Sequence, residues 1–173
     1  MMARYPRFYD TYMRTRRPPV TLDFKVILLY GETGIGKTRW VHEHWGKKPG
    51  GFWDLPLITS GMWFDGYDGE AYVLFDDFAG AASKVSLSSL LRLLDRYPIQ
   101  VAVKGSFVWW HPKRIAITTN VHPNQWYKWT GRKSSYLALK RRFTKIYQFM
   151  DGQRLNCLPD WMDWEEVETY DRH

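Results

Sequence analysis

The chain has 173 residues, enough for one α/β domain, and its 45% apolar content is typical of a globular protein rather than a disordered one. No apolar run is long enough to span a membrane, no signal peptide is expected, and the single cysteine, Cys157, excludes an internal disulfide and a cysteine-based zinc site. The net charge is +7: residues 151–173 carry seven acids against two arginines (−5), which leaves +12 for residues 1–150. Such a basic body fits a polyanionic partner, and it fits a solvated basic surface equally well.

Residues 3–17 predict a short amphipathic helix, because Tyr, Phe and Met side chains recur at spacings of three and four. Pro18-Pro19 ends it. We expect residues 1–19 to pack against their own domain or against a neighbouring subunit. The arginines at 14–17 could act as an import signal or form a solvated helix end.

A phosphate loop gives the strongest signal. Residues 24–30 form an apolar run suited to a buried strand, residues 31–38 match the pattern G-x-x-x-x-G-K-[ST], and residues 39–45 can continue a helix. Backbone N–H groups and the helix N-terminus would bind phosphate, Lys37 would reach the β- and γ-phosphates, and Thr38 would hold Mg²⁺. The predicted nucleotide-binding residues are Gly31, Glu32, Thr33, Gly34, Ile35, Gly36, Lys37 and Thr38. No N-K-x-D motif is present, so a GTPase is not expected.

A second acidic signal follows a loop-rich stretch, residues 46–70, in which 52–53 form a short predicted strand. Residues 72–78 read as an apolar strand that ends in two acids, the Walker B pattern. We assign Asp76 to Mg²⁺, through water, and Asp77 to the orientation and deprotonation of the attacking water.

The next segment predicts a helix and a hairpin. Residues 86–97 form a helix capped by Ser86 and stopped by Pro98. Residues 99–103 and 107–110 then read as two strands around the turn Lys104, Gly105 and Ser106. The lysine could simply guard a sheet edge, or it could present a cation to a DNA phosphate, with His111 and Lys113 just beyond.

Residues 114–120 predict a strand whose final Asn120 would lie beside the γ-phosphate and help to place the water, or would simply occupy a turn. Residues 134–143 predict a helix capped by Ser134 or Ser135, followed by a strand over 144–150. An arginine where this helix ends could reach a neighbouring subunit's γ-phosphate, or could only complement the helix dipole. Residues 151–173 are expected to form an acidic tail that packs loosely or competes with DNA.

Taken in order, the motifs at 31–38, 63–70 (Trp-Phe-Asp-Gly-Tyr-Asp-Gly-Glu), 73–78, 90–98, 103–105 and 117–120 resemble the helicase half of replication initiator (Rep) proteins. Circovirus-like viruses with circular single-stranded DNA encode these superfamily 3 helicases. The similarity covers about residues 4–150. It implies an α/β, three-layer P-loop NTPase fold of the AAA+ kind with a central, mostly parallel sheet. It also implies a ring hexamer and ATP-driven 3′-to-5′ movement on single-stranded DNA in the host nucleus, away from membranes.

The resemblance also implies residue roles. Asn120 falls at the sensor position, and Lys104 falls in the motif that contacts DNA from a central hairpin. The family's finger arginine directly precedes an apolar residue that enters a strand, which selects Arg142 over Arg141. We therefore expect ATP and Mg²⁺ as cofactors, with Gly105, Ser106, His111 and Lys113 beside Lys104 at the DNA.

One part of the family pattern is not found. Full-length Rep proteins carry a nicking endonuclease, whereas the only H-x-H spacing here, His42–His44, falls on the helix after the phosphate loop. We expect an excised or naturally short helicase with segments 1–19, 20–150 and 151–173, and an endonuclease domain outside this chain. The alternatives are a small-molecule or nucleoside kinase, or a nucleic-acid-binding module with little ATPase activity.

Overall fold

The computed structural model describes residues 16–150, 153–157 and 162–164, and the helix predicted over 3–17 lies almost entirely outside them. The strands are β1 (Lys25–Tyr30), β2 (Trp53–Asp54), β3 (Leu57–Ile58), β4 (Gly61–Met62), β5 (Tyr72–Phe75), β6 (Ile99–Val103), β7 (Ser106–Trp110), β8 (Arg114–Thr119), β9 (Lys145–Met150) and β10 (Gln153–Cys157). The α-helices are α1 (Lys37–Trp45), α2 (Leu87–Leu93) and α3 (Lys133–Arg142).

Six of these strands form the central sheet, in the order β10-β9-β1-β8-β5-β2. All neighbours are parallel except β9 and β10, which confirms the predicted, mostly parallel sheet. β1 lies between β8 and β9. The loop that follows β1 therefore emerges at the middle of the sheet's carboxyl edge, where open α/β sheets bind their ligands.

Both faces of the sheet are covered, because successive side chains of a strand point to opposite sides. In β1, Val26 and Leu28 join the larger core, whereas Leu29 joins a second core with Val41 and Trp45 of α1. β5 and β8 divide in the same way. Helices α2 and α3 pack on the larger core. Helices thus flank the sheet on both sides, and the three-layer α/β P-loop NTPase fold is confirmed.

The helix ends differ in detail from the prediction. Ser86 caps α2 as expected, since its hydroxyl oxygen accepts a hydrogen bond from the Ser89 N–H at 3.1 Å. However, α2 ends at Leu93 rather than Tyr97. The predicted serine cap of α3 is wrong: Arg132 holds the cap position, and its side chain makes no capping hydrogen bond.

Part of the acidic tail belongs to the sheet. Gln153–Cys157 form β10, which pairs with β9, and Met162 is fully buried in the larger core. The loose packing expected for the tail is therefore wrong for these residues. The sequence did not reveal β10 because the polar residues Gln153, Arg154 and Asn156 outnumber its apolar ones. Its strand conformation depends on pairing with β9, which no local pattern shows.

β6 and β7 form a separate two-stranded hairpin, as predicted, with Lys104 and Gly105 in the turn. Its base is attached by Trp110, whose indole N–H donates to the Leu93 carbonyl at 2.9 Å and whose ring contacts Phe64 and Tyr67. The tip is attached by Asp65, whose Oδ1 accepts a hydrogen bond from the Lys104 N–H at 2.7 Å. The hairpin is thus fixed at both ends to the segment that precedes β5. Among the described residues, no helix is long and apolar enough to span a membrane.

Candidate nucleotide site and nucleic-acid hairpin

The phosphate loop joins β1 to α1 in an open backbone conformation. Gly34 and Gly36 have φ of 78° and 102°, in the left-handed region that favours glycine, and no atom lies within 4 Å of a Cβ added at either. At Gly31 the situation is the opposite, because an added Cβ would meet the Phe149 carbonyl oxygen of β9 at 2.7 Å. The loop is packed against β9 at its start and open around its middle glycines.

Helix α1 begins at Lys37, which is buried, with a relative exposure of 5%. Its Nζ donates hydrogen bonds to the carbonyl oxygens of Gly31 and Glu32, each at 2.6 Å. Burial lowers the pKa of Lys37, and the carboxylates of Asp77 and Asp76 oppose that shift. The ammonium group is therefore hydrogen-bonded to the start of the loop and lies near two carboxylates. A phosphate bound by the loop would lie close to it.

Asp76 links α1, β5 and β8. Its Oδ1 accepts hydrogen bonds from the Thr38 hydroxyl at 2.6 Å and the Thr118 hydroxyl at 2.7 Å. Thr118 Oγ1 also accepts from the Asp77 N–H at 2.9 Å. Thr38 and Asp76, which the sequence assigns to one Mg²⁺ site, thus lie within hydrogen-bond distance of each other. A hydroxyl and a carboxylate are oxygen ligands of the kind that Mg²⁺ prefers.

Asp77 follows with φ of 51°, a left-handed conformation that costs a non-glycine residue free energy. Its side chain is exposed and lines a groove of about 740 Å³ together with Asp54, Asp76 and Lys84. The Asp77 carboxylate is therefore accessible from the same groove as Asp76.

Asn120 follows β8, and its side-chain amide donates a hydrogen bond to the Thr33 hydroxyl of the phosphate loop at 3.1 Å. The structure therefore brings together, at one edge of the sheet, Lys37, Thr38, Asp76, Asp77 and Asn120. Their separation in the sequence exceeds 80 residues, and only the parallel pairing of β1, β8 and β5 makes them neighbours.

Two residues of this site were missed from the sequence. Thr118 is fully buried and bonds both Walker B acids. A hydroxyl residue near the carboxyl end of an apolar strand was a usable signal for it. Asp54 ends β2, and burial raises its pKa, with the Asp76 carboxylate adding to the rise and His42 opposing it. No local signal marked Asp54, because its approach to Asp76 depends on the pairing of β2 with β5.

The five predicted DNA contacts do not lie together. Lys104, Gly105 and Ser106 are at the exposed hairpin tip. His111 and Lys113 lie at the opposite end of the five-residue strand β7, some 15 Å or more away by strand geometry. His111 is half-buried, and burial lowers its pKa. Lys113 is exposed, while its backbone N–H donates to the Ala71 carbonyl.

Arg142 ends α3 and contacts α2 and its own helix. Its Nε donates to the Leu91 carbonyl and its Nη1 to the Ala138 carbonyl, both at 2.9 Å, and Nη2 lies 3.4 Å from Asp95 Oδ2. Arg141, by contrast, is exposed. The role of Arg142 toward a neighbouring subunit stays a prediction.

Comparison with known proteins identifies the family. A family model described as RNA helicase matches residues 27–121, which run from β1 to just beyond β8. This chain belongs to that RNA helicase family. The chain is also similar to viral replication-associated proteins. It is 40% identical over 142 residues to that of beak and feather disease virus and 41% identical over 142 residues to that of canary circovirus. It is 36% identical over 121 residues to that of porcine circovirus 2.

These matches cover 81%, 81% and 70% of this chain, respectively, but only 45%, 44% and 36% of the relatives' own lengths. The chain thus spans less than half the length of the curated relatives it matches. The resemblance to the superfamily 3 helicase domain of circovirus-like Rep proteins is confirmed.

Proposed function

We propose that this chain is an ATP-dependent DNA helicase or translocase that acts in rolling-circle replication of a circular single-stranded replicon in the host nucleus. Mg-ATP would be hydrolysed between subunits of a homo-oligomeric ring, a hexamer. The observation that carries the proposal is the meeting of Lys37, Thr38 and Asp76 at one sheet edge, in a chain whose helicase family is known.

The residues of the phosphate loop fit a nucleoside triphosphate. The space around Gly34 and Gly36 leaves backbone N–H groups accessible, and α1 begins immediately after the loop, so its N-terminus favours an anion there. Lys37 brings a cation to the same place. Because Lys37 is buried, its charge would be screened little by water and would act strongly on a phosphate oxygen.

The residues also fit Mg²⁺. Among the described residues, no cluster of three or more His, Cys, Asp or Glu side chains could hold a metal ion. Thr38 and Asp76, whose side-chain oxygens lie 2.6 Å apart, would hold the ion together with water and phosphate oxygens, as Mg²⁺ is usually bound at nucleotide sites. The ion would neutralise charge on the phosphates when bound. Asp77 and Asn120 would orient the attacking water, with Asp77 accepting its proton.

The experiment is an ATPase assay with and without single-stranded DNA, followed by strand separation of DNA and RNA duplexes. RNA is included because the matching family model is described as RNA helicase. We expect Mg²⁺-dependent hydrolysis that single-stranded DNA stimulates, and unwinding of DNA in preference to RNA. Lys37→Ala should abolish hydrolysis. ATP turnover that ignores DNA and transfers phosphate to a small hydroxyl compound would instead indicate a kinase.

A further inference from the structure

A groove runs beside the hairpin on the side away from β7. Its volume is about 510 Å³, within the range of roughly 300–1,000 Å³ typical of ligand pockets. The segment before β5 forms one wall with Trp63 and Phe64, and α2 forms the other with Arg92 and Leu93. The groove follows β6 and ends at Lys104. We call it the hairpin groove.

Trp63 gives this groove an accessible aromatic surface. Its relative exposure is 45%, whereas Trp110, Trp126 and Trp129 are each 1% exposed or less. Trp63 also belongs to neither core cluster of the described residues. An accessible indole ring in a groove can stack on the flat face of a nucleobase, because every base presents a π face to an aromatic ring.

The charges at the groove favour an anionic partner. Arg92 and Lys104 both line it, and within the described part of the chain neither of their side chains forms an ion pair. The one carboxylate in the lining, Asp65, already accepts a hydrogen bond from the Lys104 N–H. A groove lined by two cations and an accessible aromatic ring offers charge for phosphates and a surface on which a base can stack.

We propose that the hairpin groove binds an unpaired nucleotide of single-stranded DNA, with its base stacked on Trp63 and its flanking phosphates near Arg92 and Lys104. This inference rests on the proposed function and deepens it, because it adds a base contact to the phosphate contact expected of Lys104. Stacking reads no sequence, since every base has a π face, so a strand of any sequence can pass through the site.

A peptide strand is the competing occupant. β6 pairs only with β7 within the described residues, so its other edge offers free backbone groups to a second copy of the chain. The two cations and the exposed indole favour a nucleotide over such a strand. The difference is measurable, because a peptide partner would make Trp63 matter for self-association and a nucleotide would make it matter for DNA binding.

The test measures binding of the full chain to labelled oligo(dT) and to an abasic oligonucleotide of the same length, by fluorescence anisotropy. The abasic strand keeps every phosphate and lacks every base. We expect Trp63→Ala and Trp63→Leu to weaken oligo(dT) binding by about 10-fold, a typical effect of removing one base–aromatic stack, while leaving abasic binding unchanged. Trp63→Phe should keep most of the affinity.

Two further variants complete the design. Arg92→Ala should weaken binding of both strands and lower the salt dependence by about 0.7 in the logarithmic slope, as loss of one phosphate contact does for a single strand. Tyr97→Ala is the matched control, because Tyr97 is 46% exposed and lies outside the groove. It should bind both strands like the wild type.

The outcomes distinguish failure of the groove proposal from failure of the proposed function. If the wild type binds oligo(dT) and both Trp63→Ala and Trp63→Leu bind it equally well, the groove proposal is overturned and the proposed function stands. If the Trp63 variants lose self-association while their monomers bind DNA normally, the groove belongs to a subunit interface and the proposal is overturned. A wild type that binds neither strand overturns the proposed function and this inference with it.

Discussion

At the scale of single residues, the site depends on hydrogen bonds that join side chains from different strands. Oδ1 of Asp76 accepts hydrogen bonds from the hydroxyls of both Thr38 and Thr118. Thr38 and Asp76 could be predicted from the sequence because each belongs to a short contiguous motif. Thr118 carried a weaker signal, a hydroxyl near the carboxyl end of an apolar strand. Asp54 carried none, since its approach to Asp76 is decided by the order of strands in the sheet.

Asp54 allows a prediction about pH. Burial and the nearby Asp76 carboxylate raise the pKa of Asp54 above its ordinary value of 3.8 in the folded state. The folded protein then binds a proton more tightly than the unfolded chain, so ionising Asp54 lowers stability as pH rises through the raised pKa. Because Asp54 is exposed, water weakens this penalty, and Asp54→Asn should increase the free energy of unfolding at neutral pH only slightly.

The measurement is urea denaturation of both proteins from about pH 7 to about pH 4. We expect the stability difference between variant and wild type to shrink toward the acid end, because Asp54 becomes protonated there and resembles asparagine. A variant that is less stable than the wild type at neutral pH would show that the Asp54 carboxylate makes a favourable interaction that outweighs its desolvation.

At the scale of elements, one glycine controls how the loop after β5 meets the turn around Trp126. Gly80 has φ of 60°, and a Cβ there would lie 2.4 Å from the Trp126 Cβ and 2.6 Å from its carbonyl oxygen. Gly80→Ala should lower the free energy of unfolding by roughly 2–4 kcal/mol, since it adds overpacking to backbone strain. Denaturant unfolding at constant m-value measures this loss.

Gly51→Ala is the matched control. Gly51 also has φ of 60°, but nothing lies within 4 Å of an added Cβ. It should show only the backbone cost, roughly 1–2 kcal/mol. Equal losses for the two variants would mean that the Trp126 turn moves aside at little cost.

The attachment of the hairpin tip gives a second prediction at this scale. Asp65→Ala removes the acceptor of the Lys104 N–H, whereas Asp65→Asn removes the charge and keeps a carbonyl oxygen in its place. Loss of one hydrogen bond, about 1 kcal/mol, should speed amide exchange at the tip by about fivefold in Asp65→Ala and much less in Asp65→Asn. Equal acceleration in both would assign the effect to charge rather than to the bond.

At the scale of the whole molecule, the proposed site between subunits depends on an arginine at the end of α3. Arg142 was selected by the family pattern, yet it spans α3 and α2 through the carbonyls of Ala138 and Leu91. The local sequence could not reveal this, because α2 lies some 50 residues upstream of Arg142 in the chain. To reach a neighbouring subunit, Arg142 would have to give up these bonds, whereas Arg141 is already exposed.

Paired variants distinguish the two arginines. Arg142→Ala should lower the melting temperature, because it cuts the link between two helices, and Arg141→Ala should change it little, as exposed substitutions usually do. For a shared site, mixing Arg142→Ala with Lys37→Ala subunits should restore part of the ATPase activity by forming some intact interfaces. Restoration with Arg141→Ala but not with Arg142→Ala would transfer the finger role to Arg141, and full activity of isolated monomers would remove it from both.

The position of β10 limits where the chain can be truncated. Arg154 of β10 lies over the rings of Tyr147 and Trp40, at 4.5 and 5.2 Å from their centroids, and Trp40 follows Lys37 on α1 by three residues. Truncation at position 151 would therefore remove the contact between Arg154 and the helix that begins with Lys37, and it would leave β9 as an unpaired edge strand open to aggregation. Variants that extend beyond Met162 keep both β10 and this fully buried side chain of the larger core.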